Sequence, residues 1–95
     1  MDLEDVKKIL NSNKSQLAKY KVKELRIFGS YVRGEQKSSS DIDILVKFDR
    51  GASLFDLVGL GNYLEEKLRK KIDVVSEGGI RTELREHILK EAVKV

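Results

Sequence analysis

Asp41 and Asp43 are separated by one apolar residue, Ile42, and open the run Asp41-Ile-Asp-Ile-Leu-Val-Lys-Phe48. A Ser cluster precedes this run and Asp49-Arg50-Gly51 follows it, so it reads as a β-strand. Side chains alternate between the faces of a strand. Both carboxylates therefore project from one face, with Ile42, Ile44 and Val46 on the other. Two carboxylates at the start of a buried strand are costly unless positive charge offsets them. A divalent cation does so, and an all-oxygen ligand set favours magnesium or manganese. Asp73 repeats the situation between Ile72 and Val74, in the strand-like run Lys71-Ile-Asp-Val-Val75. If the two strands are neighbours, three carboxylates meet on one face of the sheet.

Gly29-Ser30 follows directly on a third strand-like run, Glu24-Leu-Arg-Ile-Phe28, and Gly34 comes four residues after Ser30. Glycine at a strand end lets the backbone approach a ligand closely. Ser30 then opens a short helix, where free N–H groups and the hydroxyl can hold an anion such as a phosphate. One side of the site offers phosphate donors and the other offers metal-binding carboxylates. A nucleoside triphosphate with magnesium satisfies both. Each piece alone has a plainer reading: the aspartate pair as a turn or solvated edge, Gly29 as a turn, and Asp73 as an ion-pair partner of Lys70 or Lys71. Gly29, Ser30, Gly34, Ser40, Asp41 and Asp43 taken together favour the functional reading.

The elements that must position these residues alternate. Leu3, Val6, Ile9, Leu10, Leu17 and Tyr20 recur at helical intervals, and the polar stretch from Asn11 to Ser15 divides them into two short helices. Ser53 reads as a helix N-cap with Asp56 three residues on. Leu54, Leu57, Val58, Leu64 and Leu68 form the stripe of that helix, weakened by Gly59 and Gly61. Gly78-Gly79 marks a turn, and Ile80, Leu84, Ile88 and Ala92 line one face of a last helix. The expected order is α, β, short α, β, α, β, α. The fold class is α/β (α+β), a small mixed β-sheet with flanking helices.

With 95 residues, one domain spanning 1–95 is expected. There are 19 basic and 16 acidic residues, a net charge of +3, too mild for a binder that works by bulk positive charge. There is no cysteine and one histidine, His87, which excludes disulfides, thiolate zinc sites, cysteine nucleophiles and histidine-rich metal sites. No apolar run approaches a membrane span, and residues 1–20 carry charge throughout with no apolar signal core. A cytoplasmic protein is expected. His87 reads as a solvated helix residue. The basic cluster Lys67, Arg69, Lys70 and Lys71 reads as a solvated face, with contact to RNA or an acidic partner as the lesser reading.

Gly29-Ser30, ten residues, then Asp41-Ile-Asp43 resembles the signature of the DNA polymerase β nucleotidyltransferase superfamily. The longer stretches Gly29-Ser-Tyr-Val-Arg-Gly-Glu35 and Ser40-Asp-Ile-Asp-Ile-Leu-Val46 resemble its minimal branch, the MNT or MntA antitoxins. The resemblance runs from about residue 3 to residue 92, and its specific part is 29–46. Asp73 falls where that family has its third carboxylate. Val32 stands where the family commonly has alanine.

The resemblance implies a polymerase β palm-like fold and a HEPN-domain ribonuclease toxin as partner, in a hetero-oligomer. It implies transfer of AMP from ATP to a tyrosine of that toxin, which silences it. Asp41, Asp43 and Asp73 are then the catalytic and metal-binding residues for two magnesium ions, with manganese as the substitute. Asp73 also lies near the attacking hydroxyl. Gly29 and Ser30 hold the β- and γ-phosphates. Arg33 is a candidate for neutralising the leaving charge, with a plain surface helix charge as the alternative. Glu35 pairs with a lysine or helps orient the site, and the structural role ranks first.

An independent size argument favours a protein acceptor. A template-dependent polymerase or a tRNA-modifying enzyme needs further surfaces, and the elements here are used up by one sheet and its helices. Two rivals stand beside this reading: an antitoxin that masks its toxin by binding alone, and a nucleotidyltransferase acting on RNA or a small molecule.

Overall fold

The computed structural model describes residues 1–95. In chain order the elements are α1 (Leu3–Ser12), α2 (Lys14–Leu17), a 3₁₀ turn (Ala18–Tyr20), β1 (Val22–Phe28), α3 (Ser30–Arg33), β2 (Ile42–Phe48), α4 (Leu54–Leu68), β3 (Ile72–Ser76), a 3₁₀ turn (Glu77–Gly79), α5 (Thr82–Glu91) and β4 (Val93–Lys94).

Local chemistry sets the helix ends. Asp2 and Asp5 cap α1 reciprocally, each carboxylate accepting the other's N–H at 3.0 Å. The polar interruption does divide the first segment. Asn13 leaves the helical region, its side-chain amide donates to the Ile9 carbonyl at 2.7 Å, and its amide oxygen accepts from the Tyr63 hydroxyl at 2.7 Å. Ser53 starts α4, where its N–H donates to the Asp56 carboxylate at 2.8 Å.

The sheet has the order β3-β2-β1-β4. β1 is antiparallel to both β2 and β4, and β2 is parallel to β3, with α4 as the crossover. Ile42, Ile44 and Val46 are fully buried on one face and pack with Leu25 and Ile27 of β1 and with Val6, Leu10, Leu60, Leu64 and Leu68 of the helices. The alternation expected of β2 therefore holds, and the face that carries Asp43 is the other one.

Two expected apolar faces are corrected. In α4 the buried leucines are Leu60, Leu64 and Leu68, while Leu54 and Val58 are exposed. At about 100° per residue, Val58 lies roughly 160° around the helix from Leu60 and cannot share its face. Gly59 also proves to be a packing requirement, since a Cβ there would lie 2.9 Å from the Tyr20 ring. The last helix spans Thr82–Glu91 and buries none of its residues fully; Leu84 is half exposed. Ile80 precedes it. Ala92 is extended and leads into β4, which pairs Val93 with Ile27 and Lys94 with Arg26. A two-residue strand is too short to show alternation, and pairing with the edge of β1 fixes it. No helix is long and apolar enough to cross a membrane.

Candidate active site

The site forms where β1 ends beside the first residues of β2 and β3. Phe28, the last residue of β1, is the register partner of Asp43. Gly29 follows with φ +80° and ψ −152°, a conformation essentially restricted to glycine. A Cβ on Gly29 would lie 2.1 Å from Oδ2 of Asp43, so the carboxylate occupies the space a side chain would need. α3 then begins at Ser30. The N–H groups of Val32 and Arg33 donate to the Gly29 carbonyl and that of Glu35 to the Ser30 carbonyl, and the Ser30 amide takes no part in this ladder. Gly34 ends the turn in the left-handed region at φ +71°. Val32 is partly buried against the core, where it fits without disturbing α3.

β2 and β3 run parallel with Asp43 opposite Asp73 and Ile42 opposite Ile72. The strands are neighbours, and Asp43 and Asp73 share a face. Asp41 stands just before β2, exposed like Asp73, while Asp43 is half-buried. Asp73 makes no ion pair with Lys70 or Lys71; the Lys70 ammonium donates to the Ser38 carbonyl at 2.9 Å instead. Burial pushes the Asp43 carboxyl above its ordinary range, and the charges of Asp73 and Asp41 push the same way, against the Arg33 guanidinium.

As the side chains stand, no three acidic or histidine groups close into a ready-made metal site. Like charges without a countercharge favour separation. The donor set nevertheless fits divalent cations. It is oxygen-only, it comes from two adjacent strands with Asp43 opposite Asp73, and Arg33 is the one cation that offsets the charge on Asp43.

Arg33, a candidate for neutralising the leaving charge, is held between two carboxylates. Its Nε donates to Glu35 at 2.5 Å and its Nη1 to Glu91. These two hydrogen bonds, with Glu35 first, raise its pKa. Glu35 thus pairs with an arginine and not with a lysine. Glu91, at the end of α5, also accepts the Gly29 N–H at 3.1 Å. Burial pushes the Glu91 carboxyl up, but the hydrogen bonds from Arg33 and Gly29 outweigh it and hold the group below its ordinary range. Sequence reasoning missed Glu91. It sits in an ordinary mixed-charge run, and only the pairing of β4 brings it to β1.

His87 is exposed on α5. Lys67 lies over the Tyr63 ring, 5.6 Å from its centroid, and Arg69 ends α4 in the left-handed region. These contacts fit a structural face. None of the surface clefts is lined by Gly29, Asp41, Asp43 or Asp73.

The sequence model of the nucleotidyltransferase domain matches residues 4–95. This chain belongs to the nucleotidyltransferase domain family. A protein adenylyltransferase named MntA from Thermococcus cleftensis is 38% identical over 96 residues, covering 100% of this chain and 97% of that one. A Methanocaldococcus jannaschii chain, provisionally named a protein adenylyltransferase, is 54% identical over 79 residues, 83% of this chain and 85% of the relative. The nucleotidyltransferase also superposes on a solved chain described provisionally as a minimal nucleotidyltransferase. The TM-score is 0.88 and the identity 39%, over 100% of this chain and 97% of that chain. The fold alone is shared with a chain of the complex between a tri-AMPylated Shewanella oneidensis HEPN toxin and an MNT antitoxin. There the TM-score is 0.68 and the identity 21%, over 94% of this chain and 70% of that chain.

Proposed function

We propose that this nucleotidyltransferase is the antitoxin of a toxin–antitoxin pair, and that it transfers AMP from ATP to a tyrosine hydroxyl of a HEPN-domain ribonuclease, silencing it. The observation that carries the reading is the junction of Gly29, Asp43 and Asp73: a side-chain-free strand end pressed against one aspartate, with a second aspartate in register beside it. The names of the relatives support protein adenylylation, and the HEPN–MNT complex that shares the fold supports the partner.

Asp41, Asp43 and Asp73 would hold two magnesium ions, with manganese as a substitute. When bound, these ions neutralise the triphosphate and polarise its oxygens. The Ser30 amide and hydroxyl, at the strand end left open by Gly29, hold the outer phosphates. Asp73, the exposed member of the aspartate pair, accepts the tyrosine proton. The tyrosine oxygen bonds to the α-phosphorus, the bond from that phosphorus to the β-phosphate bridging oxygen breaks, and pyrophosphate leaves. Arg33, held by Glu35 and Glu91, faces the leaving charge as a fixed guanidinium.

The test is persistence. The partner RNase is incubated with this protein, ATP and magnesium, then separated from it. Covalent modification leaves the RNase silent after separation and makes silencing depend on ATP. Recovery of full RNase activity on separation would show a mask in place of an enzyme.

A further inference from the structure

We infer that Glu91 is a positioning residue for nucleotide binding, clamping the Gly29 amide with one carboxylate oxygen and the Arg33 guanidinium with the other. The inference rests on the proposed function, because it assigns Gly29 and Arg33 to the nucleotide.

The clamp is built into the strand register. β4 pairs Lys94 with Arg26 and Val93 with Ile27, and the Val95 N–H donates to the Leu25 carbonyl at 3.1 Å. Each step back along β4 meets one step forward along β1. That pairing brings the end of α5 beside the end of β1, where Glu91 Oε2 accepts the Gly29 N–H at 3.1 Å. Oε1 accepts from Arg33 Nη1, and Glu35 takes Arg33 Nε from the other side. The Glu91 side chain is only 16% exposed. β4 is thus a short strand whose pairing fixes one carboxylate against the phosphate loop.

Two consequences follow for the nucleotide. The Gly29 peptide is held in its positive-φ conformation, which keeps the loop backbone against Asp43 and leaves the Ser30 amide free for phosphate. The Arg33 side chain is fixed along two edges, so little side-chain entropy is lost when it meets an anion. A carboxylate that orients donors and stays out of the reaction acts mainly on ATP affinity, and on the chemical step only through Arg33, which Glu35 also holds.

The test compares Glu91→Ala and Glu91→Gln with the parent. It uses a non-hydrolysable ATP analogue with magnesium in calorimetry, thermal unfolding as the folding control, and steady-state transfer to the RNase. Glu91→Gln keeps an acceptor for Gly29 and loses the charge on Arg33. Expected for Glu91→Ala are analogue binding weakened about tenfold or more and a matching rise in KM for ATP, with a smaller fall in kcat because Arg33 stays paired with Glu35. Glu91→Gln should recover part of the affinity. Folded Glu91→Ala with parental affinity would overturn the inference, reducing Glu91 to a structural contact. Tighter binding in both variants would also overturn it, since Glu91 would then compete with the phosphates. A parent that fails to bind the analogue at all would overturn the proposed function, and this inference with it.

Discussion

Gly29 and Asp43 share one space: Oδ2 of Asp43 lies 2.1 Å from where a Cβ on Gly29 would stand. The Gly29 turn and the Asp43 carboxylate are therefore one packed unit, and no side chain can be added at Gly29 without displacing Asp43.

Gly29→Ala tests that unit. The methyl group would collide with Asp43 in a backbone conformation that L-residues rarely adopt, at φ +80°. The strain alone is worth about 1–3 kcal/mol. Thermal unfolding should show the loss, and binding of a magnesium–ATP analogue should fall below detection because the loop must move off Asp43. Parental binding would show that the loop only terminates β1.

Asp43→Asn should stabilise the fold without metal at neutral pH. The native Asp43 carboxyl is raised above its ordinary 3.8 by burial and by Asp73 and Asp41. A raised carboxyl supports folding below its unfolded pKa and loses that support as pH rises through its folded value. At pH 7 the charged group is therefore a liability that asparagine removes. The gain is roughly 0.5 kcal/mol after screening of a half-exposed group, or about 2–4 °C in Tm. It should shrink as pH falls through the raised folded value and be gone below 3.8. Equal melting temperatures at pH 7 would count against convergence of the three acids.

Magnesium should reverse that order. Bound cations stabilise the native state by mass action. Millimolar magnesium or manganese should raise the Tm of the parent and leave Asp43→Asn almost unmoved. An equal response from the two proteins would place the cation elsewhere.

Ser30→Ala should raise KM for ATP with kcat nearly unchanged. One hydroxyl contact to a charged phosphate is worth about 1–3 kcal/mol. Steady-state kinetics at varied ATP would check it, and an unchanged KM would remove Ser30 from the nucleotide.

Much of this site was legible in the sequence because strand periodicity is short and strict. Asp41-Ile-Asp43 and Ile72-Asp-Val74 each state which side chains share a face, and the Ser cluster, Gly29 and Gly34 mark the ends. The core of β2 followed from the same alternation. What was not legible depends on pairing across the chain. Nothing in Lys90-Glu91-Ala92 announces a helix end, a two-residue strand and a carboxylate set against Gly29. The Arg33–Glu91 pair was hidden for the same reason, since the two lie 58 residues apart. In α4 the apolar residues outnumber those the sheet can cover, so Leu54 and Val58 entered the expected stripe although the helix turns them outward.

The most direct test of the central claim is the intact mass of the partner RNase after incubation with this protein, ATP and magnesium. The account predicts additions of about 329 Da per transferred group by the metal-assisted displacement. It also predicts none with Asp43→Asn or in the presence of a chelator, with silencing of the RNase following the added mass. If the RNase gains no mass and Asp43→Asn neutralises it as well as the parent does, the adenylyltransferase account is contradicted.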